Sequence, residues 1–278
     1  MIKISIITVA VAQTFYTDDV KRNYARAEQM IEEAAKKGAK LIVFPEFMNY
    51  AVESAPEYSE PVPDGETCRF IAKMAQKHKM WVNLGSIHEK SDDKPYNTSV
   101  LFSPDGEINA IYRKLHLADM RSSKEARQSN ESDKLNKGDK IVVTDTSLGK
   151  IGMSICYDIR FPELYRLMSD KGAKIICHPA CFGMSTGSAH WEVLLRSAAI
   201  LNHCYILASD HCGRRPNGAR LWGHSMIIDP FGTVIAEAGQ EKEALLVADI
   251  DLDYCDETKE CLGCMNNRRT DIYKLEEL

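Results

Sequence analysis

The sequence predicts an α/β fold with mixed sheets, read as a single domain over residues 1–278, on three observations. Short apolar runs of strand length alternate with segments of helical period. The phrase KGAKLIVFP at 37–45 returns as KGAKIICHP at 171–179, each time closing a strand-helix-strand unit, so one architectural unit is used twice with crossover helices covering the sheets. Turn sequences, SPDG at 103–106 and DPFG at 229–232, join further strands as hairpins, which makes the sheets mixed.

The elements follow in order. MIKISIITVAVAQ carries one early charge, alternates with polar residues and leads into a helix rather than a small-residue cleavage site, so it reads as the first strand and not as a leader. From Thr17, the residues Val20, Tyr24, Ala27, Ile31 and Ala34 fall on one face at spacings of four and three, the mark of an amphipathic helix. Thr17 or an aspartate caps its start, and Gly38 supplies a left-handed residue past its end. LIVFPE is then a strand buried on both faces. Helices are expected at 66–79 and 188–203, and strands at 81–88, 98–102, 107–113, 141–145, 205–209, 225–229 and 244–250. IGMSIC reads as a buried strand ending at Cys156, and Pro162 opens the helix after it. The polar stretch 119–139 reads as a surface loop able to carry function.

Composition narrows the partners. With 44% hydrophobic residues the chain can bury a large core, and a net charge of -5 without a basic block argues against nucleic acid or an anionic lipid surface. The expected partner is a small solute. No apolar run approaches the roughly 18 residues a membrane span needs, so a cytoplasmic protein is expected. The nine cysteines are odd in number and come without a secretory signal, which favours reduced thiols. Cys255 with Cys261 and Cys264 would bind zinc only with a fourth ligand from elsewhere, and no metal is expected.

Strand ends gather ligands in open α/β sheets, and three reactive side chains sit at such ends. Glu46 follows LIVFP, Lys114 follows EINAIYR, and Cys156 closes IGMSIC. Each has a structural reading as well: a turn cap, a solvated cation, a packed thiol. Together they form a chemical set, because a thiol needs a base or a cation to act as a nucleophile near neutral pH, and a partly dry carboxylate gains proton affinity. Glu46 fits the base and Lys114 the cation.

FPEF at 44–47, YRKLHL at 112–117 and CYDIRFPEL at 156–164 resemble the three signature motifs of the nitrilase, or carbon-nitrogen hydrolase, superfamily. The resemblance runs from the first strand through GHSMIIDPFG to RRTDIY. It implies a four-layer αββα sandwich of two mixed sheets, assembly into at least homodimers, no cofactor, and a Glu46-Lys114-Cys156 catalytic triad. A second glutamate of the family aligns best with Glu131, with Glu125 in the same loop as the alternative. STGSAHWE at 185–192 is similar to the amidase branch acting on small ω-amides, which includes ω-amidase and deaminated-glutathione amidase. Cys156-Tyr157-Asp158 departs from the Cys-Trp-Glu of true nitrilases, which favours an amide over a nitrile. N-carbamoyl-amine or nitrile hydrolysis remains the enzymatic alternative, and a metabolite-binding scaffold the non-enzymatic one.

By the same resemblance, the Tyr157 backbone N–H helps to hold the oxyanion, and Tyr50, Phe182 and Thr186 lie on loops flanking the pocket. Arg121, Arg160 and Arg214 are cationic candidates for a substrate carboxylate. The segment after Glu46 is shorter than in ω-amidases, and 119–139 lacks their Asp-x-Pro-Gly, so the substrate is left open.

Overall fold

A computed structural model describes residues 5–50, 58–121, 128–215 and 217–278. β1 (Ile6–Phe15), α1 (Val20–Lys36), β2 (Leu41–Val43), α2 (Glu66–His78) and β3 (Trp81–Asn83) form the first repeated unit, with β1, β2 and β3 parallel. β4 (Ile87–Glu89), β5 (Tyr96–Phe102) and β6 (Ile108–Arg113) add antiparallel strands. β3 and β4 pair with successive stretches of β5, and β6 pairs along its length. β7 (Asp119–Arg121) and β8 (Gln128–Asn130) pair as a separate antiparallel ribbon.

The second unit is β9 (Val143–Thr146), β10 (Gly149–Met153), α3 (Pro162–Asp170), β11 (Ile175–Pro179), α4 (Met184–Asn202) and β12 (Tyr205–Ser209), with β10, β11 and β12 parallel. β13 (His211–Cys212) pairs with the end of β1. β14 (Met226–Ile228) and β15 (Val234–Glu237) extend the second sheet, β16 (Ala244–Asp251) returns antiparallel to β1, and α5 (Asp253–Leu262) follows. The result is an eight-stranded and a six-stranded mixed sheet.

Side-chain alternation along the strands builds the layers. Val9, Val11, Leu41, Val43, Ile151, Met153, Ile175, Cys177, Tyr205 and Leu207 meet in one core between the sheets. Their neighbours Ala10, Ala12, Ile42 and Phe44 face outward under α1 and α2, while Ile176, Ile206 and Ala208 face α3 and α4. Strands buried on both faces explain the unbroken apolar runs, and the outcome is the αββα sandwich.

The repeated KGAK phrase has one physical meaning in both places. Gly38 and Gly172 adopt φ of 84° and 90°, ending α1 and α3. Lys40 N–H donates to Thr8 O and Lys40 O accepts from Trp81 N–H; likewise Lys174 N–H donates to Lys150 O and Lys174 O accepts from Tyr205 N–H. Each second lysine therefore stitches three parallel strands. Asp19 is the cap of α1, its carboxylate accepting from Arg22 N–H.

Four expectations need correction. β10 ends at Met153, and Cys156 opens a 3-10 turn, Cys156–Arg160, with φ of 46°. The run 81–88 is two strands, broken where Gly85 takes φ of 81°. α4 begins at Met184, not near 188. Within 119–139, read as a surface loop, the described residues hold β7, β8 and a 3-10 turn, Glu131–Asp133. β15 and α5 were not foreseen, since their short polar-apolar mixtures carry weak periodicity.

Candidate active site

The backbone around Glu46 is fixed from three sides. Its N–H donates to Ala180 O at 3.3 Å, the residue reached after the second KGAK unit, and its carbonyl accepts from His211 Nε2 at 2.7 Å. Burial drives the His211 pKa down to about 4, so the ring is neutral and donates through Nε2, with Thr14 Oγ1 3.1 Å from Nδ1. Phe47, at φ of 56°, donates its N–H to Ser86 Oγ at 3.0 Å. Lys114 lies one residue past β6, its N–H bound to Asn97 O and its carbonyl to Gly138 N–H, both at 2.9 Å.

The side chains converge. Lys114 Nζ is 3.0 Å from Glu46 Oε1, and 3.1 and 2.9 Å from Glu131 Oε1 and Oε2. Asn97 Nδ2 donates to the same Glu46 Oε1 at 2.7 Å, and Ala118 N–H donates to Glu131 Oε2 at 2.8 Å. The Cys156 thiol lies beside the Glu46 carboxylate and the Cys181 main chain, close enough for both to bear on its titration. Glu46 and Lys114 are buried, while Cys156 and Glu131 are half-buried.

Burial raises the Glu46 pKa above 4.5, Lys114 opposes that rise, and Glu131 adds to it. For Lys114, burial works against the ammonium, yet Glu131 and Glu46 outweigh it and hold the pKa well above 10.5. Burial and then the Glu46 charge push the Cys156 thiol well above 9.0. At rest the site therefore holds a fixed ammonium and a neutral thiol facing a carboxylate of enhanced basicity. It can pass a proton from sulfur to Glu46 without any change at Lys114.

Asp158 ties the sulfur-bearing turn to the lysine-bearing segment. Its buried Oδ2 accepts from Tyr112 Oη at 2.6 Å and Ile155 N–H at 2.8 Å; Oδ1 accepts from His116 N–H at 3.1 Å and lies 2.8 Å from His116 Nδ1. His116 also stacks on Phe161 with ring centroids 3.6 Å apart. Tyr112 and His116 flank Lys114 by two residues on either side, and Ile155 and Asp158 bracket Cys156. One carboxylate thus sets the spacing between the two motifs.

Of the other expected residues, Tyr157 is half-buried with its ring edge-on to Phe161. Phe182 packs against Trp191, and the Arg160 guanidinium sits over Tyr157 and Phe182 at 5.5 and 5.6 Å. Thr186 belongs to the first turn of α4 rather than to a loop, and Tyr50 stacks on Tyr58. Arg214 is exposed and bonds Gly218 O. Glu125 and the Arg121 side chain lie outside the described residues.

Cys255 is buried between the sheets while Cys261 and Cys264 are exposed, and among the described residues no group of three or more His, Cys, Asp or Glu is placed to hold a metal ion. Sequence reasoning missed Asn97, Asp158 and His211. The only signal for Asp158 was its place inside CYDIRFPEL.

Residues 8–260 match the family described as carbon-nitrogen hydrolase. The chain is 40% identical over 266 residues to omega-amidase NIT2 of Xenopus tropicalis, covering 95% of each. It is 36% identical to deaminated glutathione amidase of Homo sapiens, covering 95% of this chain and 83% of that one. Its fold matches the crystal structure of Saccharomyces cerevisiae Nit3, a member of branch 10 of the nitrilase superfamily, with a TM-score of 0.83 and 32% identity over 95% of this chain and 97% of that one.

Proposed function

The chain belongs to the carbon-nitrogen hydrolase family and hydrolyses a non-peptide amide bond, and from that premise we propose a cysteine-dependent amidase that converts the carboxamide of a small ω-amido acid to a carboxylate and ammonia. The observation that carries the mechanism is the Lys114 ammonium lodged between two carboxylates, with the Cys156 thiol beside one of them.

In this reading the S–H bond of Cys156 breaks, its proton passes to Glu46, and sulfur bonds the amide carbon. The oxyanion is held by the Lys114 ammonium and the Tyr157 N–H, near the start of a 3-10 turn, where N–H groups lack partners within the turn. Protonated Glu46 returns its proton to the nitrogen, the C–N bond breaks, and ammonia leaves a thioester. Glu46 then takes a proton from water, whose oxygen bonds the acyl carbon; the C–S bond breaks and the sulfur regains the proton. Glu131 holds Lys114 in place through both steps.

Arg160 is the favoured contact for the substrate's distal carboxylate. It lies over Tyr157, next to the nucleophile, and its Nε is buried without a hydrogen-bond partner among the described residues. A guanidinium suits a carboxylate through paired N–H donors. Homodimers in a reducing, cytoplasmic setting complete the reading; nine unbridged thiols support the compartment.

The test is ammonia release from a panel of ω-amido acids, neutral amides, nitriles and N-carbamoyl amines, with intact-mass detection of the acyl adduct on Cys156. ω-Amido acids are expected to turn over best, Arg160→Met to raise KM about tenfold for them alone, and Cys156→Ala to lose both turnover and adduct. Turnover confined to nitriles or carbamoyl amines, or full activity in Cys156→Ala, overturns the proposal.

A further inference from the structure

Asn97 Nδ2 donates to Glu46 Oε1 at 2.7 Å, beside the Lys114 ammonium at 3.0 Å from the same oxygen. Its main chain serves the same site, since Asn97 O accepts the Lys114 N–H at 2.9 Å. The register makes this possible: Asn97 faces His88 of β4 on one side, and the next residue, Thr98, faces Arg113 of β6. Both donors, Asn97 Nδ2 and Lys114 Nζ, converge on Oε1.

We propose that Asn97 is a positioning residue that divides the labour of the Glu46 carboxylate: Oε1 is anchored by Asn97 and Lys114, which turns Oε2 into the oxygen that takes the Cys156 proton. This rests on Glu46 as base and Cys156 as nucleophile. A carboxylate free to rotate would present either oxygen at a varying distance, whereas one oxygen held by two N–H donors fixes the plane and direction of the other. The arrangement carries a cost that packing alone does not explain. Asn97 Oδ1 is buried without a hydrogen-bond partner among the described residues, and an apolar side chain at this strand position would avoid that.

Removing a donor from the charged form of a carboxylate favours its protonated form, so the base must be reached at higher pH. The direct probe is alkylation of Cys156 by iodoacetamide, in which the S–H proton goes to Glu46, sulfur bonds carbon and iodide leaves. In Asn97→Ala, the alkylation rate at neutral pH is expected to fall about tenfold and its acid limb to move up by about one pH unit, with kcat falling and KM little changed for any amide turned over. Asn97→Asp keeps the shape but trades the donor for an oxygen; it is expected to fold like the wild type and to lose rate at neutral pH at least as far.

Wild-type rates and pH profile in Asn97→Asp overturn the proposal, and decide it even where Asn97→Ala fails to fold. Alkylation needs no substrate: a protein inert towards every amide, yet showing these shifts, would sink the amidase reading and leave this one standing.

Discussion

Glu46 is singled out among the charged residues by what its neighbours leave free. Lys114 is held protonated, and Glu131 spends both oxygens on Lys114 and one also on Ala118 N–H, so neither is placed to receive a proton. In the proposed mechanism Glu46 Oε2 is the remaining base. Because burial lifts the carboxyl above 4.5, and the base works only as the carboxylate, kcat/KM is expected to fall as the pH drops through a value above 4.5. Glu46→Gln should lower kcat by about 10²–10⁴-fold and abolish that limb; a rate profile read from pH 4 to 8 decides it, and an unchanged limb assigns the titration elsewhere. The letters FPEF, YRKLHL and CYDIRFPEL made these residues legible. Asn97 was not, because nothing within YNTSVLF distinguishes it from a strand asparagine until a partner 51 residues away closes on it.

Elements were legible wherever local chemistry settles them: a left-handed glycine after a helix, a proline at a helix start, an apolar run between turns. They were misread where a tertiary neighbour decides the backbone. The strand expected over 81–88 breaks at Gly85 because a Cβ there would stand 1.9 Å from Pro45 O, the residue before Glu46. IGMSIC stops early because Asp158 draws Ile155 N–H into the turn and Cys156 into a left-handed conformation costing about 1–2 kcal/mol. Both misreadings fall at the site, where backbone conformation serves side-chain placement. Gly85→Ala combines a positive φ with that clash, so a loss of about 2–4 kcal/mol in chemical unfolding is expected, together with a lower kcat from displaced Glu46. A variant as stable and active as the wild type would show that Pro45 can move without consequence.

The sandwich as a whole carries a titratable reporter in each apolar layer. Cys177 and Cys255 lie between the sheets, Cys68 under α1 and α2, and Cys204 under α3 and α4. Burial pushes the Cys68 and Cys255 thiols up to about 12, and Cys177 and Cys204 likewise upward from 9.0. Above pH 9 the unfolded chain gives up these protons while the folded chain keeps them, so stability falls as pH rises. Each thiol then costs about 1.4 kcal/mol at pH 10, and the four together about 5–6, comparable with the whole stability of an ordinary domain.

The acid side has no such alignment. Burial lowers His88, His178 and His211, which penalises acid, and raises Glu46 and Asp210, which penalises rising pH, so the two sets oppose one another. Melting in the presence of a reductant should therefore drop steeply between pH 9 and 10, where the four thiols act in one direction. Cys177→Val should remove about one proton's worth of the alkaline slope, about 1.4 kcal/mol per pH unit. A melting temperature constant to pH 10.5 would mean that water reaches these thiols, and that the layers are not the dry interfaces that alternating strands imply.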